Sequence, residues 1–157
     1  MYEQMKKDIA SFEATISDSK LRTMFHNCFF NTLDTTVEYL DNGEVYMLTG
    51  DIPAMWLRDS SASVMQYIEF ANKDKDVFNL MKGLIKRQFF YIEVDPYANS
   101  FNRDPNGHGH KADEGLRTPY TWERKFEIDS LCYPIWLIYR LYKVSNDKSL
   151  LDQQFVK

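Results

Sequence analysis

The sequence predicts an all-α protein carrying one short β-hairpin. Three observations lead there. Apolar residues recur at helical spacing in five separate segments. A strand-like run occurs once, at Val45-Tyr46-Met47-Leu48, which places the hairpin between about Glu44 and Trp56. From Asp95 to Thr121 periodicity disappears among Pro96, Pro105, Pro119, Gly107, Gly109 and Gly115, as expected of a long loop. With 157 residues, 44% of them hydrophobic, the chain can bury a sizeable core as a single domain over 1–157. No composition shift marks a second domain, and no sequence repeat is visible.

The first predicted helix runs from about Met5 to Ile16, with Met5, Ile9, Phe12 and Ile16 on one face. Asp18-Ser19 breaks it. The second carries a wide apolar stripe from Leu21 through Met24, Phe25, Cys28, Phe29 and Leu33 to Val37 and Leu40. Asn42-Gly43 then reads as a turn. His26 has no evident partner nearby and reads as structural. A third helix is expected over Asp59–Ala71, with Asp59 and Ser60 at its N-cap. The fourth is the most periodic, with Val77, Leu80, Met81, Leu84, Ile85, Phe89 and Ile92 on one face and Lys82, Lys86 and Arg87 largely away from it. Gly83 within it suits a close helix contact. The fifth, Ser130–Lys143, is apolar around most of its circumference and is expected to be buried. Ser145-Asn146-Asp147 caps a further helix that includes Leu150, Leu151 and Phe155.

The chain is organised around Thr49-Gly-Asp-Ile-Pro-Ala-Met-Trp-Leu-Arg-Asp-Ser60. Gly50 and Pro53 oppose a regular helix across it. An irregular segment meeting a helix start gathers backbone N–H groups, the Trp56 face, the Arg58 guanidinium and the carboxylates of Asp51 and Asp59. Such groups suit a polyhydroxylated ligand: an aromatic face covers the C–H side of a sugar while charged groups hold its hydroxyls. The residues equally fit a capped helix with Arg58 paired to Asp51 or Asp59 and Trp56 in the core. Downstream, Trp122 to Asp129 alternates: Glu123, Lys125, Glu127 and Asp129 share one side of an extended backbone, and Trp122, Arg124, Phe126 and Ile128 the other. That pattern makes either a surface charge ladder or one wall of a polar pocket.

Read whole, the Thr49–Ser60 stretch resembles the signature of glycoside hydrolase family 125, exo-acting α-mannosidases best known for α-1,6 linkages. Trp122-Glu-Arg-Lys-Phe-Glu127 followed by Asp129-Ser-Leu-Cys-Tyr-Pro134 supports the resemblance, and so does Lys86-Arg-Gln88 followed by Asp95-Pro-Tyr-Ala-Asn-Ser-Phe-Asn102. The three blocks fall in order and span about Asn31 to Tyr142. The resemblance implies an (α/α)6 toroid of six helical hairpins and an inverting mechanism without a metal, of which this chain is an N-terminal portion. It places the general acid and base beyond Lys157. Asp51, Trp56, Arg58, Asp59, Asn99, Asn102, Glu123, Arg124, Lys125 and Asp129 are then assigned to binding and orienting a terminal mannose, or to supporting residues that do. The implied partner is a mannose-containing oligosaccharide. Two other readings remain open: an inactive sugar-binding remnant, and a helical interaction protein.

A net charge of −4, from 19 basic and 23 acidic residues, argues against nucleic acid or an anionic membrane as the main partner. No stretch approaches a transmembrane helix, and the charged start Met1-Tyr-Glu-Gln-Met-Lys-Lys-Asp lacks the core of a signal peptide, so a cytoplasmic location is expected. Cys28 and Cys132 lie in helical patterns and are expected as buried thiols. His108 and His110 alone do not make a metal site, and no cofactor is expected. An incomplete set of hairpins leaves helix faces open to self-association.

Overall fold

The structure is a computed structural model and describes residues 1–110, 112 and 115–151. Helix α1 covers Glu3–Glu13. Its start is held from a distance: Asp74 accepts from the backbone N–H of Gln4 and Met5, and Asp76 from that of Tyr2. These carboxylates supply the acceptors an N-cap would otherwise provide. Of its predicted face, Met5 and Ile9 are buried, while Phe12 is exposed.

Helix α2, Ser19–Thr35, opens on Asp18, whose carboxylate accepts from the N–H of Lys20 and Leu21. It stops earlier than predicted. The β-branched run Thr35-Thr36-Val37 favours extended backbone, and Val37–Tyr39 becomes strand β1, antiparallel to β2, Val45–Met47. Gly43 turns the connection at φ 79°. The hairpin therefore spans 37–47 rather than 44–56. The predicted stripe of α2 is covered only in its later part: Phe25, Phe29 and Leu33 pack against the core and Phe30 is buried, while Leu21 and Met24 are exposed and Cys28 is an exposed thiol. His26 does have a partner, since its Nδ1 lies 2.8 Å from Glu13 Oε1.

A second sheet was not expected. Strand β3, Met55–Trp56, pairs with β4, Ser100–Phe101, which pairs with β5, Thr121–Glu123, all antiparallel. Strands of two or three residues are too short to leave a periodic signature. Helix α3, Leu57–Val64, follows β3 directly and continues as a 3-10 segment, Met65–Phe70. Asp59 and Ser60 sit inside its first turn rather than at the N-cap, which is Trp56 and makes no side-chain capping bond.

Helix α4, Lys75–Val94, buries the predicted face and more. Arg87, expected to point away, is buried. Its guanidinium lies over the rings of Tyr91 and Phe90, 4.5 and 5.0 Å from their centroids, and Nη1 is 3.2 Å from Glu44 Oε2. Aromatic faces and a carboxylate together compensate the buried charge. Gly83 meets the hairpin turn: a Cβ there would stand 2.7 Å from Gly43 O and 2.9 Å from Val45 Cγ2. Gly83→Ala should therefore destabilise the fold by about 1–3 kcal/mol through overpacking, although Ala alone would favour the helix by about 1 kcal/mol. Urea denaturation of the two proteins reads the sign.

Helix α5, Ile128–Ser145, packs on α3 and α4 through Pro134, Leu137, Ile138 and Leu141. It is not buried all round. Ile135, Trp136 and Tyr139 are 53%, 40% and 57% exposed, and the Cys132 thiol is also exposed. Among the described residues nothing covers that side. Asn146 ends the helix at φ 52°, and Asp147 caps a 3-10 turn, Lys148–Leu150, that buries Leu150. Phe155 of the predicted last helix lies outside the described residues.

Candidate active-site wall

The second sheet explains how distant motifs meet. Pairing of Trp56 with Ser100, and of Ser100 with Glu123, brings the starts of α3 and α5 to one edge of β3–β4–β5. Asn99, fully buried, ties the three segments together. Its carbonyl accepts from Leu57 N–H at 3.2 Å, its N–H donates to Glu123 O at 3.3 Å, and its Oδ1 accepts from Lys125 N–H at 3.3 Å.

Two charged groups form on this frame. In the first, Glu123 Oε2 accepts from Asn99 Nδ2 and Oε1 from Lys125 Nζ, both at 2.7 Å, and the Trp56 indole adds a smaller bias toward the ionised carboxylate. Burial opposes ionisation of Glu123, yet the bonds from Lys125 and Asn99 outweigh it and hold its carboxyl below the usual range. His110 Nε2 stands 4.0 Å from Oε1.

In the second group Arg58 faces three carboxylates. Its Nη1 lies 3.0 Å from Asp129 Oδ2 and 3.4 Å from Glu127 Oε2, and its Nη2 lies 3.4 Å from Asp59 Oδ2. The Arg58 bond holds the Asp129 carboxyl below its ordinary range, and the same bond raises Arg58. Ser130 Oγ donates to Glu127 Oε2 at 3.2 Å. Arg58, Asp59, Glu127 and Asp129 are between 32% and 42% exposed, so their remaining lone pairs and N–H groups face solvent. A surface holding both ionised acceptors and cationic donors beside an indole is chemically suited to a polyol.

Seven of the ten sequence-selected residues thus meet: Trp56, Arg58, Asp59, Asn99, Glu123, Lys125 and Asp129. Three do not. Asp51 is exposed in the turn closed by the Thr49–Ile52 bridge and makes no hydrogen bond to the cluster. Asn102 is buried and braces the loop, with Nδ2 donating to His108 O at 2.9 Å and its carbonyl accepting from Tyr91 Oη. Arg124 turns away from Glu123, its Nε 2.9 Å from Asp95 Oδ2 and its guanidinium over the Tyr97 ring. Arg124 follows the last residue of β5, Glu123, and leaves the strand on the side of Asp95. Selection from sequence missed Glu127, Ser130 and His110. Glu127 shares the alternation of Glu123 and Lys125, which was the available signal.

Comparison with known proteins bears on the family and the fold. Residues 18–157 match the family described as metal-independent α-mannosidase, glycoside hydrolase family 125. The chain is 42% identical to a solved Streptococcus pneumoniae protein, with a TM-score of 0.88 over 98% of this chain and 36% of that one. That structure is described as a metal-independent α-mannosidase in a non-productive complex with α-1,6-mannobiose. The present chain is also 29% identical to the meiotically up-regulated gene 157 protein of Schizosaccharomyces pombe, over 98% of this chain and 33% of that protein. The chain thus spans about a third of the length of either relative. With its family match extending over residues 18–157, the chain belongs to glycoside hydrolase family 125, the metal-independent α-mannosidases.

Proposed function

We propose that this chain supplies part of the sugar-binding wall of an inverting exo-α-mannosidase that removes α-1,6-linked mannose, with the general acid and base outside these 157 residues. The observation that carries the proposal is the Arg58–Asp129–Glu127–Asp59 group beside Trp56 and Glu123 at one sheet edge. In this reading Arg58 and Lys125 donate to sugar hydroxyls, the ionised carboxylates accept from them, and the Trp56 ring covers the C–H face. An inverting glycosidase needs one carboxylic acid that stays protonated to deliver its proton to the leaving oxygen. Glu123 and Asp129 are both held on the ionised side of their ordinary values, which suits acceptors and does not suit that acid.

The test is calorimetric titration of the protein with α-1,6-mannobiose and with a glucose disaccharide of the same linkage. Binding selective for the mannose disaccharide is expected. Its pH dependence has a defined sign. Because Glu123 is lowered from an ordinary value of 4.5, binding through its ionised form should persist as pH falls to about that value and be lost further into acid. Equal affinity for both disaccharides, or none for either, would refute the assignment.

A further inference from the structure

Helix α3 carries Arg58 and Asp59, yet it begins without a side-chain cap, and regular α-helix lasts only eight residues. The groups left open at a helix start are N–H donors; the contact that reaches α3 from behind is of another kind, made to its first carbonyl and to two hydroxyls. Gln88 of α4 is fully buried, and its Nε2 lies 2.9 Å from Ser60 Oγ, 2.8 Å from Ser61 Oγ and 3.3 Å from Leu57 O. Both hydroxyls in turn donate to Leu57 O, at 3.2 and 3.0 Å.

The network has one self-consistent set of directions. With each serine proton committed to the Leu57 carbonyl, the hydroxyl oxygens act as acceptors. The two amide protons of Gln88 are the donors that meet them. The cost is visible at the other end of the side chain: Gln88 Oε1 is buried and has no hydrogen-bond partner. Every hydrogen bond this side chain makes to α3 thus comes from its donor side.

We infer that Gln88 is a positioning residue, which locks the Leu57–Arg58 peptide so that the Arg58 guanidinium reaches Asp129 and Glu127. Leu57 is gripped at both ends, its N–H by Asn99 O and its carbonyl by the Gln88–serine network. The next peptide group belongs to Arg58, whose side chain leaves toward the exposed carboxylates. Gln88 never touches that surface. Its effect on the mannose-binding wall is indirect, and this part rests on the function proposed above.

Hydrogen exchange read by mass spectrometry tests the inference on Gln88→Met, which keeps the side chain's length and removes the amide. Exchange over residues 57–61 should quicken by about tenfold or more, while α4 and α5 change little, because only the local anchor is lost. Ser60→Ala with Ser61→Ala removes the acceptors instead and should give the same local signature, which keeps the test open if the methionine variant fails to fold. Unchanged protection at 57–61, or a uniform loss through α3, α4 and α5, would overturn a positioning role. The exchange measurement needs no sugar. A wild-type protein that ignored mannobiose would therefore overturn the mannose reading and leave the Gln88 result to be judged separately. Where wild type binds, Gln88→Met should weaken mannobiose affinity by about tenfold, and unaltered affinity would overturn the link to the wall.

Discussion

Arg58→Ala, made in a full-length family polypeptide carrying this segment, should cut turnover of an α-1,6-mannoside by about 10- to 100-fold. The size follows from a charge-assisted hydrogen bond worth about 1.5–3 kcal/mol and about 1.4 kcal/mol per tenfold in rate. Stability should change far less. The Arg58 side chain is 36% exposed and Asp129 is 42% exposed, and ion pairs so open to solvent add little to stability. That contrast is the diagnostic: a large loss of kcat/KM beside a nearly unmoved melting curve. Asp59→Ala should act in the same direction and less strongly, because Asp59 stands 3.4 Å from Arg58 against 3.0 Å for Asp129. Full-length variants that fold normally and turn over like wild type would make the Thr49–Ser60 segment purely structural.

What the sequence made legible follows from the range of each signal. The face of α4 was readable because twenty helical residues repeat one spacing many times, and Val77, Leu80, Met81, Leu84 and Ile85 are all buried as expected. The end of α2 was not readable by the same rule. Val37 and Leu40 continue its apolar spacing, but the β-branched run before them turns the chain into β1. Arg87 shows another limit. Its burial depends on Tyr91, Phe90 and Glu44 converging on it, and Glu44 lies 43 residues away in sequence. The site divides along the same line. Local alternation put Glu123, Lys125 and Asp129 on one side and a crowded motif gathered Trp56, Arg58 and Asp59, while the family resemblance assigned them to a sugar. Asn102 and Arg124 were assigned by the same resemblance, and in the structure they brace the loop and pair with Asp95. Only the β3–β4–β5 pairing decides which side chains face the shared edge, and no strand in it is longer than three residues.

The 157-residue chain by itself is expected neither to hydrolyse α-1,6-mannobiose nor to behave as a clean monomer. The physical reason for the second half lies on α5. Its inner side packs on α3 and α4, while Ile128, Ile135, Trp136 and Tyr139 are 40–69% exposed, and on α2 Leu21 and Met24 are exposed by more than half. Apolar patches beyond a few hundred Å² recruit a partner or drive association. The chain corresponds to 36% of the Streptococcus pneumoniae structure it matches, so most of that fold has no counterpart here to cover these faces. Chemistry should fail for a separate reason. Glu123 is committed to Asn99 and Lys125, and Asp129 to Arg58, and both are biased toward the ionised form. Neither is arranged to hold the proton that leaving-group departure requires. Light scattering on the purified chain should give a mass above 18.6 kDa that rises with concentration. Incubation with α-1,6-mannobiose should release no mannose, and added detergent should lower the mass without restoring activity. A monodisperse 18.6 kDa species would show that the open faces are tolerated, and release of mannose would place an acid and a base among Asp59, Glu123, Glu127 and Asp129.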